Sequence, residues 1–220
     1  MAVVTVRGRH GAMAHDIGQL LAEELHAEYA DGEIIRELAR RLETDPTTIA
    51  LREFPRRGPL ARLEEVVRRM AATEPAVELT PAAPPVLLSD DHYVEGLRDV
   101  IGRLAQLRSV VIMGRGSQFI LRSDPRAFHV FVTAPLEVRI QRTMQALEVD
   151  ADTARKEIER VDTGRKEFAR RYFKSKWDDS ASYHLTVNTG GLSVESAVRV
   201  IVRAIAQGYE PLATPDQQRS

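Results

Sequence analysis

"VVTVRGRHGAMAHDIGQLLAEEL", residues 3–25, determines the fold class of this chain. It begins with an apolar, β-branched run that is typical of a strand buried on both faces. A turn containing Gly8 and Gly11 follows, and apolar residues then recur at helical spacing from Ile17 to Leu25. A buried strand, a glycine-containing turn and an amphipathic helix in this order predict an α/β fold.

Other short runs have the composition of the first strand and alternate with helical patterns. They are "SVVIM" at 109–113, "FHVFV" at 128–132, "YHLTV" at 183–187 and, more weakly, "PVLL" at 85–88. Because such alternation requires right-handed crossovers, it predicts a parallel sheet of about five strands with helices on both faces. The expected architecture therefore has three layers.

Two segments depart from this alternation within what we interpret as one domain over residues 1–208. Residues 31–85 contain two successive helical patterns and a proline-rich connector, which predict a helical insert. Residues 149–177 are helix-prone and basic, and a solvated helical hairpin is their simplest interpretation. The apolar side of that segment is expected at Ala154, Ile158, Val161 and Phe168. Residues 209–220 are expected to form a flexible tail.

The overall composition excludes several classes of protein. The net charge is −1, which gives no reason to expect nucleic acid or a membrane surface as a partner. The absence of cysteine excludes disulfides and thiolate zinc sites. No run approaches the length of a membrane span, and the first residues lack a signal-peptide pattern. These features favour a cytoplasmic protein.

The turn after the first strand is compared with the phosphate-loop pattern G-x-x-x-x-G-K-[ST]. Counting from Gly8 places Met13 at the second glycine, Ala14 at the lysine and His15 at the hydroxyl residue. Main-chain N–H groups and the N-terminus of the following helix can nevertheless bind an anion. A turn that binds no ligand is the alternative. The candidate phosphate-binding residues are Gly8, Arg9, His10, Gly11, Ala12, Met13, Ala14 and His15.

Most of the chain resembles the cytidylate kinase-like family of P-loop proteins. In chain order, the segments that carry the resemblance are "GRHGAMAHDIGQLLAEEL", "AEYADGEIIRELA", "VVIMGRGSQFIL", "HVFVTAPLEVRIQR", "IERVDTGRKEFARRYF" and "WDDSASYHLTVNTGGLSVESAV". The family's loop typically ends in Gly-Ser-Gly-Gly and already lacks the usual lysine, and residues 45–90 fall outside the resemblance. The resemblance therefore implies a P-loop kinase-like fold in which the phosphate loop of this chain is degenerate.

The resemblance implies an activity and a set of arginines to perform it. It implies transfer of the ATP γ-phosphate, with Mg²⁺, to a nucleoside monophosphate or similar small phosphorylated acceptor, cytidylate being the family's named one. Arg115 is expected to meet the acceptor phosphate. Arg139 and Arg142, three apart and so on one helix face, are expected at the base of a lid over the phosphates. Asp162 and Arg165 match the family's lid motif, although an intrahelical ion pair is equally plausible.

The resemblance also implies which residues would bind the acceptor. Asp31 and Asp179 resemble substrate-binding carboxylates, and Asp31 is also suited to cap a helix. Residues 31–85 would form an acceptor-side insert and 149–177 a lid. Met113 stands where a metal-holding acid is expected, so any metal would be held through water or substrate phosphates.

Three functions remain open at this point. A phosphotransferase is favoured by the retained arginines, whereas a degenerate nucleotide- or anion-binding regulatory module without kinase activity is favoured by the three lost loop positions. A kinase for a non-nucleotide acceptor is the third. A homodimer is possible in each case.

Overall fold

The computed structural model describes residues 2–53 and 89–212. Within these ranges no helix has the length and apolar character needed to cross a membrane. In chain order the elements are β1 (Val3–Gly8), α1 (Ala14–Glu24), β2 (Glu28–Ala30), α2 (Gly32–Arg41), α3 (Pro46–Glu53), α4 (Asp90–Leu107), β3 (Val110–Met113), α5 (Ser117–Ile120), β4 (Ala127–Thr133), α6 (Leu136–Leu147), α7 (Ala151–Phe173), a 3₁₀ turn (Ser180–Ser182), β5 (Leu185–Asn188) and α8 (Val194–Ala206).

The five strands form one parallel sheet in the order β2-β3-β1-β4-β5. The predicted α/β class and parallel sheet are confirmed. The fifth strand is β2, which the sequence did not predict because it has only three residues and two of them are merely half-buried. Such a short edge strand is too brief to show a β pattern. The predicted strand at 85–88 lies outside the described residues.

The helices cover both faces of the sheet, as the three-layer prediction requires. On one face α1 and α8 pack on Val4, Val6 and Val132, and on the other α2, α3 and α4 pack on Val3 and Ile112. All five of these strand residues are at most 1% exposed. Burial on both faces explains why the strands have continuous apolar runs. Because β1 is the central strand, its end at Gly8 lies in the middle of the carboxyl edge of the sheet.

The predicted lid segment contains one long helix, so the interpretation of 149–177 as a solvated hairpin is wrong. Helix α7 has 23 residues, and the Asp150 side chain caps it by accepting a hydrogen bond from the Thr153 amide. The predicted apolar side is confirmed, because Ala154, Ile158, Val161 and Phe168 are all at most 7% exposed. This side is buried because Ala154 and Ile158 pack against Ile140 of α6, and Phe168 packs against Tyr93 of α4.

Two further predicted segments are only partly described. Helices α2 and α3 lie in the predicted insert 31–85, and residues 54–85 lie outside the described ranges. In the predicted tail, the Tyr209 hydroxyl donates to the Arg126 carbonyl at 2.6 Å and its ring packs against Phe128. The beginning of that segment therefore contacts the domain.

Buried His129 makes the stability of the fold depend on pH. Its Nδ1 lies 2.8 Å from the Thr5 hydroxyl, and burial, with the nearby charges of His184 and Arg122, lowers its pKa from 6.5 to about 3. The unfolded chain therefore binds a proton that the folded chain excludes. Stability is fully present above the unfolded pKa and is lost as pH falls below about 6.5, by about 1.4 kcal/mol per pH unit.

We expect His129→Gln to lower stability at neutral pH but to flatten its pH dependence. The wild type should lose about 2 kcal/mol between about pH 6.5 and pH 4.5 through this group, and the variant should not. Urea unfolding at several pH values measures the difference, with His92→Gln at an exposed position as the matched control. Equal slopes in the wild type and His129→Gln would contradict the assignment.

Candidate functional site

The loop between β1 and α1 makes a tight turn at the carboxyl edge of the sheet. Gly11 has φ +75° and Met13 has φ +62°, both in the left-handed region. The Arg9 amide donates to the Val132 carbonyl at 2.9 Å, and the Ala12 amide donates to the Arg9 carbonyl at 3.1 Å. The loop is therefore closed on itself and attached to β4.

Both loop glycines are required by close packing. A Cβ at Gly8 would lie 2.7 Å from the Ala14 Cβ and 2.7 Å from the Val132 carbonyl oxygen. A Cβ at Gly11 would lie 2.8 Å from the Arg139 carbonyl oxygen, in addition to the strain of its positive φ. These contacts hold the loop against β4 and α6, so both positions require glycine, whereas Met13 stands where the phosphate-loop pattern has its second glycine.

Helix α1 begins without a side-chain cap. Met13 occupies the N-cap position, and no side chain accepts a hydrogen bond there. The first-turn amides of a helix have no intrahelical acceptors and carry the positive end of the helix dipole. They border a cleft of about 620 Å³ between the loop, α1 and α6. This is the geometry of an anion-binding site.

Three arginines from separate segments line this cleft: Arg9 from the loop, Arg142 from α6 and Arg165 from α7. Arg165 donates to the carbonyl of Gly8, so α7 contacts the loop directly. His10, His15 and Asp16 add polar groups to the same wall. The cleft therefore combines helix amides with several positive side chains.

Asp162 lies at the centre of the contacts between α7 and the loop. Its Oδ1 accepts a hydrogen bond from the His10 amide and its Oδ2 accepts one from Arg139 Nη1, both at 2.9 Å. Arg9 and Arg165 each approach the same carboxylate to 3.8 Å. The side chain of Asp162 is 14% exposed. The predicted pair Asp162 and Arg165 thus belongs to a larger network, and one loop amide is occupied by a carboxylate.

Arg139 and Arg142 share a helix face but diverge at their charged ends. Arg139 is 6% exposed and donates to the carbonyls of Ala134 and His10 in addition to Asp162. Arg142 donates to the hydroxyl and carbonyl of Thr189 at 2.9 and 2.8 Å. Of the two, only Arg142 borders the cleft. Arg139 is buried instead and contacts the loop through the His10 carbonyl.

Arg115 and Asp31 are brought together, although they lie far apart in sequence. The guanidinium of Arg115 is 4% exposed and donates to Asp31 Oδ1 and to the Met113 carbonyl. Asp31 stands at the N-cap of α2 but makes no capping hydrogen bond with its side chain. The expectation that it caps the helix is therefore wrong, because the carboxylate turns toward Arg115 and His15 instead.

The predicted carboxylate at Asp179 caps the 3₁₀ turn by accepting from the Ala181 amide at 3.1 Å. Its neighbour Asp178 is the one that reaches the loop, because Arg9 Nη2 donates to it at 2.9 Å. Arg9 also lies over the Trp177 ring, with its guanidinium carbon 5.5 Å from the ring centroid. The segment after α7 therefore orients Arg9.

Sequence reasoning missed two residues that support the site. Thr189, which follows β5, donates to the Ala12 carbonyl at 3.1 Å, and its hydroxyl accepts a hydrogen bond from Arg142. Arg7, in β1, lies against Gly114 of the turn after β3. Arg7 is the charged residue in a strand that is mostly β-branched and buried, and this was a usable signal. A threonine after a strand is too common to be a signal.

Within residues 2–53 and 89–212, no group of three or more histidine or acidic side chains is arranged to hold a metal. Met113 ends β3 and is 6% exposed, as its position in the sequence suggested. Asp16 is the acidic side chain that lines the cleft. The described residues fit a polyphosphate better than a metal held by protein ligands alone, because the cleft offers cations and helix amides.

A known protein family matches most of this chain. The family model described as "Cytidylate kinase-like family" matches residues 3–191. The chain belongs to the cytidylate kinase-like family. The predicted P-loop kinase-like fold is thereby confirmed for this family member, and its degenerate loop departs from the nucleotide-binding pattern at Met13, Ala14 and His15. The family supports a nucleotide-binding, kinase-like protein.

Individual relatives are more distant. An uncharacterized protein from Eubacterium ventriosum has a TM-score of 0.66 and 19% identity, covering 94% of this chain and 99% of that one. Shikimate kinase from Bacteroides thetaiotaomicron has a TM-score of 0.49 and 13% identity, covering 93% and 98%. A uronate isomerase from Corynebacterium glutamicum is 24% identical over 115 residues, which span 52% of this chain and 22% of that protein.

Proposed function

We propose that this protein binds ATP in the cleft and transfers its γ-phosphate to a nucleoside monophosphate or similar small acceptor. The observation that carries the proposal is the convergence of Arg9, Arg142 and Arg165 on the uncapped N-terminus of α1. Phosphoryl transfer needs chiefly positioning and cationic stabilisation, since charge spreads over the transferred oxygens. Planar guanidinium groups provide both.

Each part of the site has a role in this proposal. Within the turn from Gly8 to His15, the amides that begin α1 hold the donor phosphates, and Arg142 and Arg165 stabilise the charge on the transferred group. Arg139 and Asp162 hold the loop in shape. Mg²⁺ would neutralise the phosphates, held by phosphate oxygens and water with Asp16 as a neighbouring carboxylate. Arg115, which is paired with Asp31, meets the acceptor phosphate in this proposal.

A regulatory module that binds a nucleotide or another anion without transferring phosphate is the second candidate. It is favoured by the contact between Asp162 and the His10 amide, because a carboxylate already occupies part of the loop. It is also favoured by the pairing of Arg115 with Asp31, which offsets the charge intended for an acceptor phosphate. Both candidates share the same anion-binding cleft.

We expect Arg142→Ala and Arg165→Ala each to weaken ATP binding about tenfold or more, because each removes a charge-assisted hydrogen bond. Titration calorimetry measures the affinity. Arg155→Ala is the matched control, since Arg155 lies on α7 with its side chain 46% exposed and away from the cleft.

A steady-state assay with Mg²⁺ and a panel of nucleoside monophosphates distinguishes the candidates. Transfer supports the kinase. ATP binding without transfer to any acceptor supports the regulatory module. No ATP binding by the wild type contradicts the kinase and, of the second candidate, leaves only a module that binds another anion.

A further inference from the structure

His15 occupies an unusual position at the mouth of the cleft. It lies in the first turn of α1, where the phosphate-loop pattern has a hydroxyl residue, one position after the missing lysine. Its side chain is 44% exposed and borders the cleft. Its Nδ1 lies 2.9 Å from the Tyr29 hydroxyl and 3.5 Å from Asp31 Oδ2. One edge of the imidazole is thus held by β2 and by the start of α2, and Nε2 lies on the opposite edge.

Asp31 connects this histidine to the acceptor side of the site. One oxygen of its carboxylate faces His15 and the other accepts a hydrogen bond from Arg115. The side chains of Asp31 and Arg115 are 14% and 4% exposed, so this part of the connection is largely shielded from water. A single carboxylate therefore joins the donor loop to the turn after β3.

The surroundings determine whether the imidazole carries a charge. A carboxylate at this distance favours the imidazolium form, and bound phosphates would favour it further. Positive side chains oppose it. The charged and titratable groups that face or border His15 are Tyr29, Asp31 and Arg115 on the buried side, Asp16 on its own helix, and Arg9, His10, Arg142 and Arg165 across the cleft.

We propose that protonated His15 supplies the cation that the lysine-less loop lacks, contacting the β- and γ-phosphates of the bound nucleotide. In this arrangement Asp31 is a positioning residue, since it holds the imidazole and links it to Arg115. The inference rests on the proposed nucleotide site, whose ligand class it specifies as the polyphosphate of a nucleoside di- or triphosphate. The histidine makes that site sensitive to pH in the physiological range.

The first test is the pH profile of ATP affinity. Since the cation is lost as the imidazole deprotonates, wild-type affinity should fall about tenfold or more between about pH 5.5 and pH 8.5. His15→Gln should bind weakly at the low end and show a flatter profile. His15→Lys should keep its affinity at the high end, because lysine remains charged there. The titration of ATP itself is common to all variants and cancels in the comparison.

The second test addresses Asp31. Asp31→Asn keeps the shape of the side chain but removes its charge, so the midpoint of the pH profile should move to lower pH. A purely structural role for Asp31 would change affinity without moving the midpoint. His92→Gln, at an exposed position outside the cleft, is the matched control and should retain the wild-type midpoint. Thermal unfolding of each variant verifies that the fold is intact.

The outcomes separate this inference from the proposed function. ATP binding with identical pH profiles in the wild type and His15→Gln overturns the role of His15 and leaves the nucleotide site standing. Failure of the wild type to bind ATP at any pH overturns the proposed site itself. A profile that flattens in His15→Gln and is restored at high pH by His15→Lys supports the inference.

Discussion

Replacing Asp162 with alanine is expected to lower the free energy of unfolding by about 3–5 kcal/mol, the range for breaking one partner of a buried ion pair. The side chain of Arg139 is 8% exposed and would lose its carboxylate partner. The His10 amide would lose its acceptor at the same time. Arg9 and Arg165 also approach this carboxylate, so three guanidinium groups would lose a shared negative neighbour, although Arg9 keeps its hydrogen bond to Asp178.

Urea unfolding followed by circular dichroism measures this effect. Glu159→Ala, at an exposed position of the same helix, is the matched control and should change stability by less than about 0.5 kcal/mol. Asp162→Asn should fall between the two, since the amide oxygen can still accept from the His10 amide. A change in Asp162→Ala as small as in the control would show that the network contributes little to the fold.

Substitution of Gly11 by valine should disrupt the loop with a similarly large effect. A Cβ there would lie 2.8 Å from the Arg139 carbonyl oxygen and 3.0 Å from the Thr143 hydroxyl, and the added methyl groups need further space. The residue also has φ +75°, which a β-branched side chain rarely adopts. Strain and overpacking together should cost about 2–4 kcal/mol, and the displaced loop should bind ATP at least about tenfold more weakly.

Gly102→Ala is the control, and we expect it to change stability in the opposite direction. A Cβ at Gly102 meets no atom within 4 Å, and the residue lies inside α4. Alanine there should raise stability by about 0.5–1 kcal/mol, because it removes the entropic cost of a helical glycine. Thermal melts and calorimetry on both variants distinguish the two glycines. Normal stability and ATP affinity in Gly11→Val would show that the loop conformation is not needed.

Several elements of the fold were predictable because their signals are local. The predicted strands at 109–113 and 128–132 are mostly apolar, and the strands observed there flank the central strand of the sheet. The apolar side of α7 followed from helical spacing alone. The edge strand β2 was missed because three half-polar residues carry no periodicity. The hairpin interpretation of 149–177 failed because composition indicates helix but does not show where a helix ends.

The candidate site was predictable in its residues and only partly in its contacts. The sequence marked Asp162, Arg165 and the loop, and the structure places them together. It also treated Arg139 and Arg142 as equivalent, whereas one is buried beneath the loop and the other lies along the cleft. Spacing along a helix gives a common face, but it does not give the direction in which a long side chain extends.

By itself, the amino-acid sequence determined the class of fold, the segments that form the central strands and the position of the first turn. These features follow from periodicity and from glycine requirements, which are properties of neighbouring residues. Only the tertiary structure decided which charges meet. The contact between Asp31 and Arg115 joins residues 84 positions apart, and that between Arg9 and Asp178 joins residues 169 apart. Parallel strands bring their carboxyl ends to one edge of the sheet, and there the partners of each guanidinium are chosen by packing rather than by proximity in the chain.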